Sequence, residues 1–145
     1  QELQLDYSQV FHGVLDFQFA GLVRDHLALN RKVDEFLVTE CGNHFSIGYS
    51  DSYLPILFLD NHDLDRFLFA VKNRKQRFKS GLAFLLSAPF PKVIYYGTEA
   101  YMSQQQSIHL PIPNADLQAR QPMEWDNVDP LLVDMIRNAS SGNRW

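Results

Sequence analysis

Three apolar runs recur along this chain, each followed by polar residues and then by hydrophobic positions at helical intervals. In the first, "VFHGVLDFQF", Val10, Phe11, Val14, Leu15, Phe17 and Phe19 suit a buried strand over residues 12–17. The second, "LPILFLD" (54–60), is apolar almost without alternation, as expected of a strand covered on both faces of a parallel sheet. The third is "KVIYYG" (92–97). Between the first two runs, Leu22, Val23, His26, Leu27, Val33, Phe36 and Leu37 keep a helical rhythm over 20–37, and "TECGNHFSIGYSDSY" (39–53) reads as a loop punctuated by Gly42 and Gly48. Between the second and third, "QRFKSGLAFLLSA" places Phe78, Leu82, Leu85 and Leu86 on one helix face, and Pro89 and Pro91 stop it. Residues 100–128 read as a long loop, and "DPLLVDMIRNA" as a last helix with Asp129 as N-cap and Pro130 at its first position.

The spacing of successive runs fits βαβ units, which take roughly 30 residues or more. The predicted class is therefore α/β, with parallel strands joined by right-handed crossovers. In such proteins polar residues with chemical roles gather at the carboxyl ends of the strands. Here those ends are Asp16, the stretch from Asp60 to Asp63, and "YYGTE" (95–99).

The densest of the three is "FLDNHDLDRF" (58–67). Composition alone gives it a structural explanation: Asn61 or Asp63 can cap the next helix, where acidic side chains also suit the helix dipole. The alternative is that His62 and Asp63 face a ligand, with Arg66 about one turn further on.

The same residues carry a resemblance. "FLDNHDLDRF" is similar to the fourth signature region of the α-amylase family of glycoside hydrolases, an apolar strand followed by Asn-His-Asp, two residues and Arg. "PFPKVIYYGTE" resembles the family's eighth barrel strand, "GVLDFQF" its sixth, and "RQPMEW" (120–125) the Arg-x-Pro-Met-x-Trp stretch beyond the eighth. Asn-His-Asp alone is a weak signal; its occurrence with Tyr-Tyr-Gly-Thr-Glu, in the family's order, is a specific one. The resemblance spans roughly residues 10–126 and departs from the pattern at Leu64 and Asp65, at the first of which the family often carries a small polar residue.

The resemblance implies a partial TIM (β/α)₈ barrel, strands six to eight with their helices, acting on α-glucosidic bonds with retention. It makes Asp63 the third catalytic carboxylate, a group whose bonds to sugar hydroxyls strengthen in an oxocarbenium-like transition state. His62 then donates to the same sugar, Asn61 supports the pair, Arg66 orients Asp63 or touches a neighbouring subsite, and Tyr96 binds substrate. Substrates are expected to be starch-like glucans or malto-oligosaccharides.

A retaining glycosidase needs two carboxyl groups roughly 5 Å apart. The family's nucleophile lies in a Gly-x-Arg-x-Asp pattern and its acid/base is a Glu after the fifth strand; neither pattern occurs here, nor does the family's first region. The chain has 145 residues, against about 250 for a whole barrel. It is therefore expected to be a carboxyl-terminal barrel piece, inactive alone. Its cut sheet edges and the apolar faces of "VIYY" and "ILFL" should drive self-association or pairing with the other barrel half. A different reading is a non-catalytic relative that keeps the fold for carbohydrate binding or protein association. A third is a free-standing α/β domain unrelated to sugars.

The totals narrow partners rather than function. The chain is 46% hydrophobic and 21% charged, with net charge −4 and a pI near 5.6. That acidity argues against nucleic acid, and the basic run Lys72, Arg74, Lys75, Arg77, Lys79 reads as a solvated helix face. No run approaches the roughly eighteen apolar residues of a membrane span. The opening "QELQLDYSQ" has neither a basic leader nor an apolar segment, so a processed product or excised piece is expected. Cys41 is alone, which precludes an internal disulfide and leans towards the cytoplasm. Cys41 and His44 have the spacing of only half a zinc site. No cofactor is expected, although a structural calcium is compatible with a parent protein. Tyr96, Tyr101 and Trp125 can stack on sugar rings, and Trp125 can equally anchor a loop in the core.

Overall fold

Asp16 marks the point where extended chain becomes helix. In the computed structural model, which describes residues 2–46, 48–49 and 52–142, its Oδ1 accepts the backbone N–H of Phe19 at 2.9 Å and caps helix α2, Phe17–Ala28. A short helix α1, Glu2–Ser8, precedes it. The remaining helices are α3 (Glu35–Phe45), α4 (Phe67–Ala70), α5 (Lys75–Ser87) and α6 (Pro130–Gly142).

The three predicted strands are present as extended segments that pair in parallel, in the expected order, but only through single bridges. Leu15 bridges Ile56, and Leu57 bridges Lys92. Leu54 and Ile56 donate to the carbonyls of His12 and Val14, and Asp16 donates back to Ile56 at 2.9 Å. On the opposite edge Leu57 donates to Pro91, and Val93 donates to Leu57, both at 2.8 Å. Regular strands do not form among the described residues, and the sequence shows why. Pro55 has no N–H to give, Pro91 precedes the bridge at Lys92, and Asp16 turns the first segment into helix at once. Gly13 is needed here, because a Cβ at that position would lie 2.3 Å from the carbonyl oxygen of Leu54.

The predicted helical stretch 20–37 is two helices. Leu29 ends α2, Asn30 takes a left-handed conformation (φ 71°), and Asp34 caps α3 through Leu37 N–H at 3.1 Å. The predicted loop 39–53 is also corrected: residues 39–45 continue α3, while residues 47, 50 and 51 lie outside the described residues. Gly42 is helical, and it faces open space. The last helix starts as expected, with Asp129 Oδ1 accepting Leu131 N–H at 2.9 Å. Residues 100–128 are irregular, entered from a 3₁₀ turn at Thr98–Ala100 and carrying two more at Ala115–Arg120 and Trp125–Asn127.

The core lies where α2, α3 and α5 cover the extended segments. Phe19, Val23 and Leu27 line one face of α2 at four-residue spacing, and Phe78, Leu82 and Leu85 line one face of α5 at spacings of four and three. Leu57, Phe58 and Leu59 are also buried, which corrects the expectation that "ILFL" is bare. The Phe17 and Phe58 rings meet in a T-shaped contact at 4.9 Å between centroids. Apolar side chains that remain open include Leu15, Phe17 and Val93.

Candidate functional site

The polar residues of 60–66 separate into those that build the turn and those that face solvent. Asp60 is buried, and its Oδ2 accepts Phe67 N–H at 2.7 Å. The capping task thus falls to Asp60 rather than to Asn61 or Asp63. Burial pushes the Asp60 carboxyl above the usual carboxylate range, against the Phe67 N–H and the charges of Arg66 and Arg24. Arg24, on α2, donates to the carbonyl of Leu59 at 2.7 Å and so ties that helix to the segment end.

Asn61 is 8% exposed and folds onto its own turn, its Oδ1 accepting the backbone N–H of Asp63 at 2.8 Å. This side-chain turn presents the next two residues outward. His62 Nε2 lies 3.2 Å from Asp63 Oδ2, with both side chains more than half exposed. From the other side, Arg120 Nη2 approaches Asp63 Oδ1 at 3.4 Å, while its Nε lies 3.5 Å from Asp116. Exposed ion pairs of this kind contribute about 0–1 kcal/mol to stability. Their effect is to set the direction in which the Asp63 carboxylate points.

Arg66 does not open to solvent. It is 1% exposed and packs against the rings of Tyr95 and Tyr96, with its guanidinium carbon 4.3 and 4.5 Å from their centroids. One terminal N–H donates to the carbonyl of Tyr96, and its own backbone N–H donates to Gln104 Oε1 at 2.6 Å. Arg66 therefore joins the ends of the second and third segments, whereas the carboxylate of Asp63 meets Arg120. Tyr96 is likewise tied down: its hydroxyl donates to the carbonyl of Gln121 at 2.6 Å. Trp125 is 76% exposed and so is not a core anchor.

Three features escaped the sequence reading. Arg120 was visible only as the first residue of "RQPMEW". Asp65 accepts from Ser107 Oγ at 2.9 Å and Ile108 N–H at 2.8 Å, and so pins the following loop. Asp16 and His44 form a buried pair at 2.7 Å, which only the helical state of residues 39–45 brings together. Among the described residues no group of three or more His, Cys, Asp or Glu could hold a metal ion. No described helix is long and apolar enough to cross a membrane.

An exposed carboxylate and imidazole side by side, flanked by a guanidinium, can accept from and donate to neighbouring hydroxyls of one neutral ligand. They lie beyond the carboxyl end of the central of three parallel segments, the place where α/β proteins carry their polar sites. No protein-family model matches the chain. It is 33% identical over 136 residues to "Alpha-amylase 2" of Dictyoglomus thermophilum, covering 90% of this chain and 23% of that protein. It is also 33% identical over 90 residues to a cyclomaltodextrin glucanotransferase of Niallia circulans, covering 62% of this chain and 12% of that one. Among solved structures, the α-amylase of Geobacillus thermoleovorans, complexed with acarbose, superposes with a TM-score of 0.70 at 27% identity, over 92% of this chain and 28% of that structure. The chain belongs to the α-amylase family. It spans less than a quarter of the length of these two sequence relatives.

Proposed function

We propose that this chain supplies strands six to eight of a (β/α)₈ barrel in an enzyme that cleaves or transfers α-glucosidic bonds of starch-like glucans with retention. The observation that carries this reading is the Asp63–His62 pair, held outward by the Asn61 turn while Asp60 takes over helix capping. Asp63 is the carboxylate that stabilises the transition state, His62 donates to the same sugar, and Arg120 fixes the orientation of Asp63. Asn61, Arg66 and Tyr96 act from behind, by shaping the turn and locking the third segment to it.

The bond-breaking step requires a nucleophile and an acid/base that these residues do not provide, and positioning groups cannot replace them. The whole protein carries both, and this chain alone does not turn over substrate. The decisive measurement is made on the full-length protein with maltotetraose. Asp63→Asn should lower kcat at least a hundredfold and change KM little, because the lost interaction is made chiefly in the transition state. Equal losses in kcat/KM and in ground-state binding would leave Asp63 as a binding residue only.

The alternative reading is a non-catalytic relative that binds glucan. Wild-type turnover by the full-length protein would dismiss it. The open apolar side chains Leu15, Phe17 and Val93 pair with further barrel segments or, in the chain alone, with a second copy. A dispersed monomer in sedimentation of the chain alone would contradict this.

A further inference from the structure

Three charged side chains meet below the site turn, each from a different place in the chain. Arg24 comes from α2, Asp60 ends the central segment, and Arg66 stands at the start of α4. Arg24 donates to the carbonyl of Leu59, one residue before Asp60, at 2.7 Å. Arg66 donates to the carbonyl of Tyr96 at the end of the third segment. Asp60 accepts the first N–H of α4, that of Phe67. The turn from Asn61 to Asp63 is suspended between these anchors.

The anchors depend on one another through charge. Arg66 is buried, and its Nε and Nη2 have no hydrogen-bond partner among the described residues. Its charge is balanced through space by Asp60. Burial pushes the Asp60 carboxyl towards its neutral form, and the Phe67 N–H, Arg66 and Arg24 hold it back. Arg24 is the half-buried member; burial pulls its guanidinium below the ordinary value, against the charges of Asp60, Asp65 and Asp25. On the other sides α5 brings the apolar Phe78, Leu82 and Leu85, and the third segment with the turn after it brings Tyr95 and Thr98. Thr98 does not titrate, and burial raises the Tyr95 hydroxyl, so neither changes charge in acid.

When Asp60 takes up a proton, Arg66 is left buried without its carboxylate. An uncompensated buried charge is strongly unfavourable, and the exposed turn that carries His62 and Asp63 is the part least packed against yielding. We propose that Arg24 is a positioning residue for Asp63. By keeping Asp60 ionised it holds Arg66 and the Asn61 turn in the form that points the Asp63 carboxylate outward, and so sets how far into acid the site works. This rests on the proposed role of Asp63.

The test follows turnover of maltotetraose by the full-length protein across pH. Arg24→Gln keeps an amide donor and loses the charge. It should raise the midpoint of the acid limb of kcat by about one pH unit, with KM little changed, as expected when a carboxylate loses one of its cationic neighbours. On the acid side turnover then falls about tenfold. Arg24→Lys, which keeps the charge, should restore the limb. An equal loss of kcat at every pH in both variants, or an unchanged profile in Arg24→Gln, overturns the proposal and leaves the proposed function standing. A second readout needs neither turnover nor a variant. In the isotope-labelled protein the Asp60 carboxyl carbon and the Asp63 backbone amide should carry a step at the same midpoint. An Asp63 signal with no step where Asp60 titrates overturns the proposal. Absence of wild-type turnover removes the proposed function, and these signals then decide by themselves whether Asp60 governs the turn.

Discussion

Asp16 Oδ2 and His44 Nε2 meet at 2.7 Å with neither side chain open to solvent. The other oxygen of the same carboxylate caps α2 at Phe19, so one side chain both starts α2 and holds α3 beside it. His44→Ala leaves that carboxylate buried with a single partner. Removing one member of a buried pair costs about 3–5 kcal/mol, and urea denaturation should show a loss of that order. Asp16→Asn keeps an oxygen for Phe19 N–H and should lose less. A loss below about 1 kcal/mol in His44→Ala would be the behaviour of an exposed pair and would contradict the burial described.

Cys41 sits one turn before His44 on the same helix and is 3% exposed. Burial, helped by the charges of Asp16 and Glu40, pushes its thiol from 9.0 up to about 11. The folded chain therefore holds a proton that the unfolded chain releases near 9.0. This contribution to stability is complete below pH 9 and is lost as pH rises towards 11. The urea midpoints of wild type and Cys41→Ala should accordingly change relative to each other between pH 8 and pH 10.5, with wild type losing ground. Iodoacetamide should modify the native thiol slowly at pH 8 and quickly once urea unfolds α3.

The three apolar runs and their parallel order were legible because continuous Val, Ile, Leu and Phe between polar turns admit few other arrangements. Asn30 and Asp34 also carried their message, as helix-stop and helix-start residues, yet a hydrophobic rhythm that runs through them concealed the break. The helical state of residues 39–45 was hidden for a different reason. "ECGNHF" has weak helix formers, and its stability comes from Leu37, Cys41 and the Asp16–His44 pair, which are tertiary contacts. At the site, the motif located Asp63 and His62. It left unresolved which acidic residue builds the turn and which faces outward, because that division depends on Phe67 N–H, Gln104 and Ser107, residues up to more than forty positions away.

Gly97 has φ 83°, and a Cβ there would lie 2.3 Å from Met102 Sδ. Met102 is itself buried and donates its backbone N–H to the Gly97 carbonyl at 2.9 Å. Gly97→Ala should therefore lose roughly 1–2 kcal/mol from the left-handed conformation and about 1–3 kcal/mol from overpacking. Met102→Ala removes the obstacle but not the backbone strain. The double variant should be more stable than the sum of the single losses predicts, by about 1 kcal/mol or more. Strict additivity in chemical denaturation would mean that the methionine side chain moves aside without penalty.

Asp65 lies two residues beyond Asp63 and faces the other way, gathering Gln104, Ser107 and Ile108. The loop it pins also delivers Arg120 to Asp63. Asp65→Leu removes all three acceptor contacts and leaves the Ile108 N–H without its partner. Hydrogen exchange at Ile108 should accelerate at least tenfold, while core amides of α2 and α5, such as Val23 and Leu82, keep their protection, since local opening and global unfolding are separate processes. Acceleration at Val23 and Leu82 to the same extent would mean that Asp65 supports the whole fold. Unchanged exchange at Ile108 would mean that the loop is held by Tyr96–Gln121 and Arg66–Gln104 without it, and that the departure at Leu64-Asp65 from the family pattern has no consequence for how Arg120 reaches Asp63.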